Sequence, residues 1–233
     1  MKAQLGMAFE NLAGKDGNTV ARRTKQGVSL IPYTIPHNPN TAAQKIIRND
    51  FAKASQTFKG LTNTQVQTWK DYAAGVTFRD PVTGREYHPS DITAFMQLAV
   101  KFLQVNPTGT IPVAPPASPF AGNNITVSAG AGTGKVTFTS SGANAANVKT
   151  EVLLQRLKGA HWTPTEDGYR SKGFNAFTAG QLFDVPVTAG WYAAAYRFVN
   201  TLTGQATELV PINVSQVTLS LSGHGPATKR KAA

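Results

Sequence analysis

Ile47, Phe51, Ala54, Phe58 and Leu61 recur at steps of four, three, four and three, the spacing that lays side chains along one stripe of an α-helix. Two capping signatures bracket this run, Thr41 with Gln44 and Thr62 with Gln65. In each, a hydroxyl accepts from an early backbone N–H and an amide reaches back to the cap. Asn38-Pro39-Asn40 upstream is turn chemistry, because Pro39 fixes φ and pushes Asn38 towards extended backbone. Gly60 loosens the end of the first helix. Val66, Trp69 and Ala73 then open a second stripe, and Gly75 stands where a helix commonly stops. The spacing predicts two helices joined by a short turn, hence an antiparallel helical hairpin. Its expected core is Ile47, Phe51, Phe58, Leu61, Val66 and Trp69, read as packing rather than as a binding surface. Lys45, Arg48, Lys53 and Lys59 fall mostly on the other faces.

The remaining chain divides around this hairpin. Residues 1–37 read as an N-terminal arm. Thr19–Arg23 and Val28–Tyr33 are β-prone runs around Lys25-Gln26-Gly27, which predicts a β-hairpin. Two strands alone bury too little to be stable, so the arm needs another surface to lie on. Arg22, Arg23 and Lys25 are the candidate contacts to a partner or to phosphate, against the simpler reading of a solvated strand face. Residues 38–106 are read as a helical domain, with a small hairpin at 76–88 turning at Asp80-Pro81-Val82-Thr83-Gly84. A third helix is expected from Ser90 or Asp91 to Val105, with Ile92, Phe95, Met96, Ala99, Phe102 and Leu103 as its apolar stripe. Five prolines at 107, 112, 115, 116 and 119 predict a stiff interdomain linker over 107–121. Residues 122–217 change to short alternating strands with frequent glycine, which predicts an antiparallel β-sandwich of six or seven strands. Residues 218–233 are read as a basic C-terminal tail. The fold class is therefore α+β in two domains.

Composition narrows the functions. The formal charge of +11 is spread along the chain and is not gathered on one element. Residues 1–37 carry five Lys/Arg against two Asp/Glu, residues 38–106 eight against five, and residues 107–221 seven against five. Lys229, Arg230 and Lys231 make the end basic. A dedicated nucleic-acid reader concentrates its charge; a diffuse excess suits weak contact with nucleic acid or with an acidic protein surface. The absence of cysteine excludes disulfides and thiolate chemistry. Neither a signal peptide nor a membrane span is expected.

Several chemical signals fail on their context. Gly130-Ala131-Gly132-Thr133-Gly134-Lys135 imitates a phosphate loop, but Val136 follows where Ser or Thr is needed, and Val136–Thr139 is β-patterned. It is read as a turn between strands. His37, His88, His161 and His224 have no metal-ligand spacing. Glu166-Asp167-Gly168 beside Tyr169 and Trp162 could suggest carbohydrate binding, but reads as a hairpin tip. No paired acid and base and no Gly-x-Ser-x-Gly elbow occur. Neither an enzymatic activity nor a cofactor is expected.

Two resemblances carry the functional expectation. The segment from Leu12 to Val20, followed by Asn38-Pro39-Asn40-Thr41, Gln44, Arg48, Phe51, Leu61-Thr62, Gln65 and Trp69, resembles a loose group of phage- and prophage-encoded structural proteins over roughly the first 120 residues. In that group a glycine-punctuated arm precedes the two helices. The C-terminal half, through Ala189-Gly190-Trp191-Tyr192, the run to Arg197 and Asn200, and the turn at Gly204, resembles a fibronectin type III or immunoglobulin-like sandwich. Together they imply a virion structural protein made in the host cytoplasm. An accessory head protein is the first reading, serving as capsid decoration, cement or vertex subunit. It would dock in multiple copies on the major capsid protein or other virion subunits by its arm and helices and project the sandwich. A tail or neck component and a basic nucleic-acid-associated protein are the alternatives. Fold alone decides none of them.

Overall fold

The computed structural model describes residues 2–3, 13–24, 27–35, 39–79 and 85–218. It is α+β, and its contacts gather into two compact units, Met1–Gln97 and Leu98–Ala233.

In the first unit, β1 (Lys2–Ala3), β2 (Gly14–Asp16), β3 (Thr19–Thr24) and β4 (Gly27–Pro32) form an antiparallel sheet in the order β1-β4-β3-β2. The expected β3–β4 hairpin is present, widened by a strand on either side. Helices α1 (Ala42–Lys59) and α2 (Asn63–Gly75) follow, each opened by the capping box legible in the sequence. Gln44 N–H donates to the Thr41 hydroxyl at 3.3 Å, and Thr41 N–H donates to the Gln44 amide oxygen at 3.0 Å. Thr62 and Gln65 repeat the exchange. A two-stranded pair, β5 (Phe78–Arg79) and β6 (Glu86–Tyr87), precedes α3 (Asp91–Val105). The turn expected at Asp80–Gly84 lies outside the described residues. The core of this unit is aromatic: Trp69 meets Phe95 edge-on at 5.0 Å between ring centroids, and Phe58 meets Phe95 at 5.3 Å. Ala54, Ala73 and Ala94 are buried with them.

The second unit holds β7 (Val127–Gly132), β8 (Lys135–Ser140), β9 (Val148–Leu157), β10 (Arg170–Asn175), β11 (Leu182–Pro186), β12 (Gly190–Asn200) and β13 (Val210–Val217). They make two antiparallel sheets, β10-β9-β12-β13 and β11-β8-β7. One apolar cluster draws on both: Val136, Phe138 and Val185 from the smaller sheet, Val152, Leu154, Ala194, Tyr196 and Phe198 from the larger. Two sheets sharing one core is the arrangement of a β-sandwich. The glycine run is the expected turn, with Gly132 paired to Lys135 and Gly134 at φ +67°. Glu166–Gly168 is a single 3₁₀ turn within the connection from β9 to β10, and not a tight hairpin tip. Strand β11 was not among the expected strands.

Side-chain alternation explains why β12 is buried along nearly its whole length. Tyr192, Ala194, Tyr196 and Phe198 enter the sandwich core. Ala193, Ala195 and Val199 point to the opposite face and are buried as well. The second half of α3 lies on that face. Lys101 reaches Glu151 of β9, and the Gly204 backbone sits against the Leu98 carbonyl and the Phe102 amide.

These contacts correct the expected domain boundary. The units divide at Gln97/Leu98 and not at the proline segment. The 107–121 stretch belongs to the second unit and is not a free linker. Ile111 is buried, the Gln205 amide donates to the Ser118 carbonyl at 3.0 Å, and the Asn106 amide donates to the Thr201 carbonyl at 2.6 Å. The physical reason lies in α3, whose later turns carry Leu98, Phe102, Leu103 and Val105. A stripe that wide serves more than one packing surface. Gly204 is at φ +75°, and a Cβ there would strike α3 backbone. Gly204→Ala is therefore expected to destabilise the unit by about 2 kcal/mol, measured by urea unfolding; an unchanged midpoint would mean that the helix does not lie this close.

Candidate docking surface

The first unit contains elements whose apolar faces are not covered. On β3, neighbouring residues alternate sides. Arg22, opposite Ser29, and Arg23, opposite Val28, therefore project from opposite faces of the sheet. As candidate contacts the two arginines therefore serve different faces. Lys25 lies outside the described residues. The face bearing Arg22 also carries Lys15, Val20 and Ile31 in one cross-strand row. Beyond it the Lys15 ammonium stands 3.6 Å over the Tyr33 ring. Ile31 and Tyr33 are exposed, and Ile35 is 78% exposed. Val28 is the single side chain of this sheet that is buried among the described residues.

Helix α1 continues the pattern. Its last turns enter the core through Ala54 and Phe58, but its first turns do not. Ile46, Ile47 and Phe51 are 58%, 46% and 57% exposed. This overturns the expected core role of Ile47 and Phe51. Phe58, Leu61 and Val66 are half-buried, and of the six expected core residues only Trp69 is fully enclosed. The same correction applies to Ile92 on α3, which is exposed. The periodicity correctly placed these side chains on one stripe, and half of that stripe faces outward. Lys45, Arg48 and Lys53 flank it. Arg48 is held by the Asn40 side chain at 3.1 Å, and Asn40 takes the left-handed backbone at φ +49°. Asp50 is the one acid of α1. Partial burial lifts its carboxyl above the ordinary value, and the charge of Lys53 pulls it back.

The arrangement offers apolar side chains ringed by cations, on a thin sheet and on the exposed half of a helix. That chemistry suits association with an acidic protein surface. Among the described residues no cluster of three His, Asp or Glu is placed to hold a metal ion, and no helix is long and apolar enough to cross a membrane. Comparison with protein-family models, with curated proteins and with solved structures returns no match to this chain.

Proposed function

We propose that this chain is a structural subunit of a phage particle, docked by its N-terminal sheet and α1 on the major capsid protein or another virion subunit. The observation that carries the reading is the open stripe of Ile46, Ile47 and Phe51 on a well-capped helix. With about half of each side chain in water, the helix forgoes on the order of 1 kcal/mol apiece relative to full burial, and assembly recovers it. The resemblance of the arm and helix pattern to phage structural proteins supplies the kind of partner. The sandwich is read as fibronectin type III-like. Its chain runs β7-β8 in one sheet, β9-β10 in the other, back to β11, and across again to β12-β13, the alternation that such a fold requires. An accessory head subunit fits a docking part joined to a self-sufficient sandwich, and the role needs neither a catalytic site nor a cofactor.

Mass spectrometry of purified particles is expected to find the chain at fixed copy number. Ile47→Asp with Phe51→Asp should abolish its incorporation while leaving the circular dichroism of the free protein unchanged. Incorporation of the double variant at the normal level would refute docking by α1. Absence of the chain from particles, together with DNA binding that weakens steeply with salt, would establish the nucleic-acid alternative instead.

A further inference from the structure

A second surface lies at one end of the sandwich. Residues Arg156, Leu157, Lys158, Gly190 and Trp191 line a groove of about 440 Å³. The register explains how they meet: Leu157 at the end of β9 pairs with Trp191 at the start of β12, and Arg156 pairs with Tyr192. Gly190 lies beside the guanidinium: an added Cβ there would be in ordinary contact with Arg156 Nε at 3.5 Å. Trp162 stands close by, with its backbone N–H donating to the Gly159 carbonyl and the Lys158 ammonium 4.8 Å over its ring. Trp162 is 54% exposed. Trp191 pairs with Leu157 and so projects from the other face of the sheet to Arg156; Trp162 is the indole beside the two cations. No carboxylate lines the groove. Among the described residues neither Arg156 nor Lys158 has an acidic partner within 4 Å, whereas Lys101, Lys135 and Arg197 do.

We propose that this groove binds an acidic saccharide, a sugar ring bearing a carboxylate or sulfate. Each part of the ligand answers a part of the groove. Two cations without an acidic partner among the described residues take the anionic group by charge-assisted hydrogen bonds. Trp162 beside Lys158 offers the ring face not taken by the ammonium to the C–H face of a sugar ring. The volume suits one or two rings and is within the range of small-molecule sites. A free inorganic anion would leave the exposed Trp162 indole unused. Single-stranded nucleic acid is served by a channel that follows several phosphates, and two cations in one short groove do not make one. The site is independent of the assembly reading, because it uses no residue of the docking surface.

The test uses the full chain and the fluorescence of its tryptophans. Sialyllactose and a heparin-derived disaccharide are titrated beside lactose and a thymidine tetranucleotide. At least one acidic sugar is expected to give a saturable change that lactose does not give. Arg156→Glu and Lys158→Glu, both on exposed side chains, should each weaken it about tenfold or more, with circular dichroism and unfolding midpoint unchanged. The proposal is overturned by equal responses to lactose and the acidic sugars, by no saturable response to either acidic sugar, by tighter binding of the tetranucleotide, or by charge-reversed variants that bind as the parent does.

Discussion

Arg197→Met is expected to lower the stability of the C-terminal unit by about 3–5 kcal/mol, the loss typical when one member of a buried ion pair is removed. Glu151 is fully buried in the middle of β9. Arg197 Nε donates to its carboxylate at 2.6 Å, and Lys101 Nζ from α3 lies at 3.1 Å. Burial pushes the Glu151 carboxyl up. The hydrogen bond from Arg197, the charges of Lys101 and Arg197 and a hydrogen bond from Ser171 together outweigh it and hold the carboxyl below its ordinary value. Burial pulls the Lys101 ammonium down, and Glu151 restores part of the loss. Because the folded carboxyl titrates below the unfolded one, the unfolded chain binds more protons in the acid range. The stabilisation from Glu151 is complete above the unfolded carboxylate pKa and is lost as pH falls through the folded value. Without Arg197, burial meets less opposition and the carboxyl rises. Urea unfolding should therefore show lower stability for the variant at neutral pH and a shallower loss on acidification. Adding Glu151→Leu should recover part of the loss, since the buried charge goes with it. A single variant as stable as the parent at neutral pH would show that the cluster is solvated.

That cluster also marks where sequence reasoning ends. Glu151 is the one acid in the β-prone run Thr150–Leu157, visible as an anomaly, but its partners stand 50 and 46 residues away. Only the pairing of β9 with β12, and the placing of α3 on the sheet, bring them together. What depends on local chemistry was legible: both capping boxes, the Gly134 turn, and the long β12. Strand β11 was not, because Leu182-Phe183-Asp184-Val185-Pro186 carries an acid and ends in proline. At a sheet edge both are tolerated, with Asp184 held by Lys135 and Thr137 of the neighbouring strand. The docking surface was half legible. Periodicity says which side chains share a face, and it is silent on what covers that face. The groove needed more, since Arg156 and Lys158 meet Gly190 only through the pairing of β9 with β12.

Trp69→Ala and Phe51→Ala separate the enclosed part of the expected core, on α2, from the open part, on α1. Each residue obeys the apolar spacing of its own helix, and by periodicity alone the two should cost the same. Trp69 is 2% exposed and packs edge-on against Phe95 at 5.0 Å and Tyr72 at 5.6 Å. Truncating it removes an indole from the centre of the first unit and leaves a cavity that three short helical faces cannot close. The expected cost is about 3–5 kcal/mol. Phe51 is 57% exposed, so its ring already lies largely in water and its removal should change stability by no more than about 0.5 kcal/mol. Hydrogen exchange over residues 63–75 and 91–97 reads the unit directly: protection should fall sharply in Trp69→Ala and stay at the parent level in Phe51→Ala. Particle incorporation should invert the order for Phe51, with a loss that its stability does not foreshadow. If Phe51→Ala instead costs as much as Trp69→Ala in the free protein, the first turns of α1 are covered within the chain, and the docking surface proposed for them does not exist.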